Sequence, residues 1–141
     1  MRLLRLFSFS FVLLSVLCCT SEQRPSEPGG RIQFGAIERN VGNVYRHYPL
    51  HRVVFQFRNV GKQPLKIYKV EPFCGCVTAE YTKRPVPPGE LGYITLTYNG
   101  GAKSNGYFSE NIEVYSSSEK DPRIYLNISG YLVVYQPPAD K

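Results

Sequence analysis

The chain has 141 residues, 43% hydrophobic and 20% charged, with a formal net charge of +6. One core of ordinary size fits these values, and they exclude both a wholly disordered chain and a multidomain enzyme. Twelve glycines and eleven prolines interrupt the sequence too often for long helices, so an all-β fold is predicted.

In chain order, Arg2 and Arg5 form a basic start, and Leu6 to Leu17 is an apolar run broken only by Ser8, Ser10 and Ser15. The run is too short to span a bilayer, which needs roughly 20 apolar residues, and it reads as an export signal over 1–19. It ends in Ser15-Val16-Leu17-Cys18-Cys19, which resembles a bacterial lipobox. Cys19 is the expected lipidation site because the small Cys18 precedes it, whereas the bulky Leu17 precedes Cys18. The alternative is an ordinary signal cut near Thr20, with both cysteines discarded. Residues 20–30 contain no large apolar side chain and read as a flexible tether holding the next domain off a membrane. Two acyl chains would make that anchoring stable.

Without Arg2 and Arg5, fifteen basic residues face eleven acidic ones, a balance of +4. The basic residues are scattered and form no run, so nucleic acid is not an expected partner.

From Arg31 the pattern has period two, and the domain is predicted over 31–136, with a tail at 137–141. A first strand falls at Ile32 to Ile37. Val53, Phe55 and Phe57 share one face of the next, with Gln56 and Arg58 on the other. Asn59 to Pro64 then turns the chain, and Leu65 to Val70 reads as the return strand. Further strands are expected at Val77–Tyr81, Tyr93–Tyr98, Ile112–Tyr115 and Arg123–Ser129, with Asn40, Gly42 and Pro49 among the punctuating residues. The prediction is therefore about seven antiparallel strands in an immunoglobulin-like β-sandwich.

The run Phe55-Gln56-Phe57-Arg58-Asn59-Val60-Gly61-Lys62-Gln63-Pro64-Leu65-Lys66-Ile67 resembles the signature of Hydin/ASH-type immunoglobulin-like domains. The following Val70-Glu71-Pro72-Phe73-Cys74-Gly75-Cys76-Val77-Thr78, with a Pro-Gly-Glu turn and the strand after it, resembles DUF1573, a domain-of-unknown-function family of exported bacterial proteins. The resemblance covers about Phe34 to Gly130. It implies the sandwich fold and an envelope location, and it carries no activity.

Cys74 and Cys76 are the two thiols within the predicted domain. In an oxidising compartment they read as a disulfide or thiol pair, with Gly75 supplying the unusual φ that a small ring requires. A locked structural turn is one reading. A redox dithiol, or a thiolate pair capturing a soft metal such as Cu(I), is the other. No helix start follows Cys76 to stabilise a thiolate, and a four-ligand zinc site would need two more ligands than the pair provides. His47 and His51 flank Pro49 and would lie about 13 Å apart in an extended chain, too far to share one ion. Asn127-Ile128-Ser129 is a formal glycosylation sequon that reads as ordinary strand. All 11 tyrosines fall from Tyr45 onward, with Tyr93 and Tyr125 on the face opposite the aliphatic residues. Such a face stacks on sugars or grips protein segments, or simply stabilises a sheet through cross-strand pairs.

Taken together, these features predict a non-catalytic cell-envelope lipoprotein module, without a cofactor, for protein or glycan interaction at a membrane surface. The alternative is a periplasmic thiol-redox or copper-binding module acting through Cys74 and Cys76.

Overall fold

A computed structural model describes residues 29–46, 48 and 50–134. The expected signal, the tether up to residue 28, Cys19, His47 and the C-terminal tail lie outside the described residues. Eight strands follow in order: β1 (Ile32–Phe34), β2 (Glu38–Tyr45), β3 (Leu50–Asn59), β4 (Ile67–Pro72), β5 (Val77–Tyr81), β6 (Leu91–Asn99), β7 (Gly106–Ser116) and β8 (Arg123–Val133). They form two four-stranded sheets, ordered β1-β3-β6-β5 and β2-β8-β7-β4.

The alternation sets the core. Phe55, Phe57, Ile94, Leu96, Leu126 and Ile128 are fully or almost fully buried between the sheets, while Val54, Tyr93 and Tyr125 are exposed on the outside. Each large apolar side chain moved from water contributes about 1.5–3 kcal/mol, so this face-to-face stack supplies the main driving force. The all-β sandwich is the architecture that the period-two pattern predicts.

Two details differ from the sequence reading. The additional strand is β2, which pairs parallel with β8, so the second sheet is mixed. Asn40 and Gly42 read as turn residues because they build a bulge inside that strand: the register shifts between Asn40 and Asn43, Gly42 has a φ of 67°, and its N–H donates to Asn40 Oδ1 at 2.8 Å. The segment after Asn59 is also no hairpin, because β4 pairs with β7 in the opposite sheet.

Asn59 explains that crossing. It is fully buried at the end of β3, accepts from the backbone N–H of Arg31 and Gly61 at 3.1 and 2.9 Å, and donates to the carbonyls of Gln63 and Val86, both at 2.8 Å. One amide thus binds together four separate points of chain. Gly61 beside it has no room for a Cβ, which would fall 2.4 Å from the Arg31 nitrogen. Gly29 and Gly30, placed by the sequence at the end of the tether, are packed onto the same end. Gly29 N–H donates to Glu119 Oε2 at 3.1 Å, and Gly30 bridges Ser118.

Candidate functional site

The opposite end of the sandwich is closed by the turn between β4 and β5, where the chain crosses from one sheet to the other. Cys74 and Cys76 lie in this turn and are joined as a disulfide, with Cα atoms 5.1 Å apart. The turn is held by Val77 N–H donating to the Cys74 carbonyl at 3.1 Å and by Asn99 N–H donating to the Cys76 carbonyl at 2.7 Å. Cys76 N–H also points at Cys74 Sγ, 3.1 Å away. Gly75 does not adopt a positive φ, and a Cβ there would meet nothing within 4 Å, which corrects the expectation that ring closure demands glycine's freedom.

Glu110 completes the cluster. On β7 it follows the inward phase of Phe108, Ile112 and Val114, so a carboxylate stands where the core pattern calls for an apolar side chain. Its side chain is only 13% exposed, with Oε1 3.4 Å from Cys76 Sγ and 3.1 Å from Lys103 Nζ. A disulfide sulfur carries no proton, so the Cys76 contact is a sulfur–oxygen approach that becomes a hydrogen bond only when the bridge is reduced. Among the described residues, the metal-ligating side chains close enough to share one ion are Cys74, Cys76 and Glu110, whose ligand atoms lie within 4.8 Å of one another. His51 is not in this group; it lies on β3 opposite Tyr98.

Beside the cysteines is a cleft of about 330 Å³, lined by the three residues of the turn and by Asn99, Ala102 and Lys103. Arg46 braces the loop that carries Ala102 and Lys103 by donating to the carbonyls of Gly101 and Lys103 and to Asn105 Oδ1. Tyr98 is fully buried at this end, stacked on Phe108 with ring centres 4.2 Å apart, and its hydroxyl has no hydrogen-bond partner. Burial pushes its phenol above the ordinary value, the Glu110 carboxylate adds to the rise, and Lys103 opposes it.

A second surface lies on the outer face of β7 and β8. Tyr107 and Tyr131 are register partners with rings 5.4 Å apart in an edge-on arrangement, and both are more than half exposed. Along the same face, Asn127 donates to Ser109 Oγ at 2.9 Å and to Asn111 Oδ1 at 2.8 Å. Farther along, Glu113 accepts from Tyr125 Oη at 3.1 Å and pairs with Arg123 Nε at 3.0 Å. Tyr115 is held protonated above its ordinary value, first by its hydrogen bond to Glu113 and next by burial. The formal sequon is thus part of this hydrogen-bonded strand face.

Sequence reasoning found the cysteines and the outward tyrosines but missed Glu110. The alternation that reads Ile112 and Val114 as one face extends back to Glu110. Nothing local reveals that this carboxylate meets a turn 34 residues away in sequence.

Residues 32–132 match the family described as protein of unknown function (DUF1573). No curated protein matches the chain. Among solved structures, a protein of unknown function from Porphyromonas gingivalis W83 aligns over 74% of this chain with a TM-score of 0.66 and 16% identity. This chain spans about half of that one, 47%. PapD-like domain 7 of human CEP192 aligns over 89% of this chain and 99% of its own, with a TM-score of 0.56 and 11% identity. The secreted serine protease VesC of Vibrio cholerae aligns over 76% of this chain but 24% of its own, with a TM-score of 0.54 and 13% identity. At such identities the likeness is one of fold.

Proposed function

The chain belongs to the DUF1573 family, and from that premise we propose that it is a non-catalytic interaction module of the bacterial cell envelope, periplasmic or at the outer membrane. It is anchored through a lipid on Cys19 and binds a protein or glycan on the outer face of β7 and β8. The observation that carries this reading is the exposed Tyr107–Tyr131 pair, continued by an ordered row of amides and hydroxyls at Asn111, Asn127, Ser109 and Ser129. Aromatic edges with adjacent amide donors and acceptors give contact area at low entropic cost together with directional hydrogen bonds.

The packing of Gly29 and Gly30 beside Asn59 supports the geometry of anchoring. Gly29, the first described residue, lies at the Asn59 end, and the face of β7 and β8 extends from there along the sandwich to Tyr107 and Tyr131. The test has two arms. Palmitate labelling is expected in the wild type and lost in Cys19→Ala; labelling that persists in Cys19→Ala refutes acylation there. Crosslinked envelopes and a glycan array are expected to retain the wild-type protein and to lose it in Tyr107→Ser/Tyr131→Ser. Retention unchanged by that pair refutes the binding face.

A further inference from the structure

We propose that the reduced form of the Cys74–Gly75–Cys76 turn, with Glu110, is a thiophilic metal site selective for Zn²⁺, and that the disulfide is its closed state. This inference is independent of the docking face. Three observations converge on it: two sulfurs in one short turn, a carboxylate set inward on β7 against Cys76, and an open cleft beside the sulfurs bounded by Asn99 and Lys103.

The donor set decides the ion. Two thiolates alone would suit Cu(I), for which a hard carboxylate oxygen adds little. Two thiolates with one carboxylate suit the borderline Zn²⁺, which takes sulfur and oxygen together and leaves a fourth position to solvent or ligand. Glu110 therefore shifts the reading from copper toward zinc. Lys103 is the competing cation, because its ammonium holds Glu110 Oε1 at 3.1 Å, the atom that the metal would take.

The opening step balances as follows. A dithiol reductant transfers two electrons and two protons to the Cys74–Cys76 bridge; the sulfur–sulfur bond breaks, two thiols form, and the reductant leaves as its own disulfide. Zn²⁺ then displaces the two thiol protons to solvent and binds two thiolates and the Glu110 carboxylate. The two thiolates and the carboxylate carry three negative charges against the two positive charges of the ion, so the loaded site has a net charge of −1. Reoxidation by a partner disulfide reverses both steps: the two thiolates pass two electrons to it, the Cys74–Cys76 bond forms again, the partner takes two protons from solvent and leaves as a dithiol, and Zn²⁺ is released.

The experiment uses the full chain, anaerobic, with Zn²⁺ alone as ligand and a chromophoric zinc chelator as competitor. Tris(2-carboxyethyl)phosphine serves as reductant; it takes an oxygen from water as the bridge becomes two thiols. Reduced wild type is expected to hold one Zn²⁺ more than reduced Cys74→Ser/Cys76→Ser, which accounts for Cys18 and Cys19, and the unreduced protein is expected to hold none at this site. Glu110→Gln, which keeps both thiols, is expected to bind at least about tenfold more weakly, and Lys103→Ala a few-fold more tightly because the competing ion pair is gone. Equal Zn²⁺ affinity in Glu110→Gln and wild type overturns the proposal, as does binding that does not depend on reduction. A site that takes Cu(I) identically in both proteins while rejecting Zn²⁺ overturns it as well, reducing the turn to a two-thiolate chelate.

Discussion

The two ends of the sandwich, separated by the length of β3, treat polar groups in opposite ways. At the Asn59 end, both lone-pair positions and both amide protons of one side chain are used by backbone, and its own N–H and C=O are paired with Glu90 and Gly89. At the cysteine end, a carboxylate occupies an inward position, a buried phenol lacks a partner, and a cleft remains open. A polar group whose capacity is fully used inside the fold holds the fold. One left with unused capacity at an open surface is available to a ligand, and it costs stability to keep it so.

The largest break in this contrast is Asn59→Ala. It strands two backbone donors and two carbonyls in the interior and is expected to lower stability by about 3 kcal/mol, read as a fall in the urea midpoint without a change in slope. Gly61→Ala at the same end drives a methyl into backbone and is expected to cost about 2 kcal/mol in the same assay. The cysteine end responds more weakly. Cys74→Ser/Cys76→Ser removes a bridge that closes only a very short loop and is expected to lose about 1–2 kcal/mol.

Tyr98→Phe should reverse the sign. Removing a hydroxyl that is buried without a partner is expected to raise stability by about 1 kcal/mol. The pH dependence follows from the raised phenol: the unfolded tyrosine ionises near 10 while the folded one keeps its proton, so the folded state binds more protons. The part of the stability linked to this proton is therefore fully present below pH 10 and is lost as pH rises through the elevated folded value. In unfolding curves taken from pH 9 upward, Tyr98→Phe should show a smaller alkaline loss than the wild type, the remainder coming from groups such as Tyr115 whose proton is also held above the ordinary value. The smallest effect is expected for Gly75→Ala, within about 0.5 kcal/mol of wild type, since its Cβ meets open space. A large loss there would abolish the distinction between the ends.

Much of the fold is legible because burial and strand period coincide. Val53, Phe55 and Phe57 alternate in the sequence and fill one side of the core, and β5 spans the same Val77–Tyr81 that its composition suggests. Where burial is slight, that signal fades. β2 is an edge strand with most of its residues exposed and a bulge at Gly42, so its sequence carries turn residues and little alternation. The destination of the chain after Asn59 is equally hidden. Turn residues announce a change of direction, while the hydrogen bonds of one buried amide to Gln63 and Val86 choose the sheet. The candidate site divides in the same way: Cys74 and Cys76 stand out as a motif, but their meeting with Glu110 depends on how two sheets face each other.

The parallel pairing of β2 with β8 has a mechanical meaning. The described chain enters beside Asn59 and, after β8, leaves from the far end near Gly106. A pull applied through the two termini draws β2 toward the first end and β8 toward the second, so their ladder from Glu38–Asn127 to Tyr45–Val133 is loaded along its length. Its hydrogen bonds share the force in shear and do not open one after another, which makes this edge the clamp that resists extension.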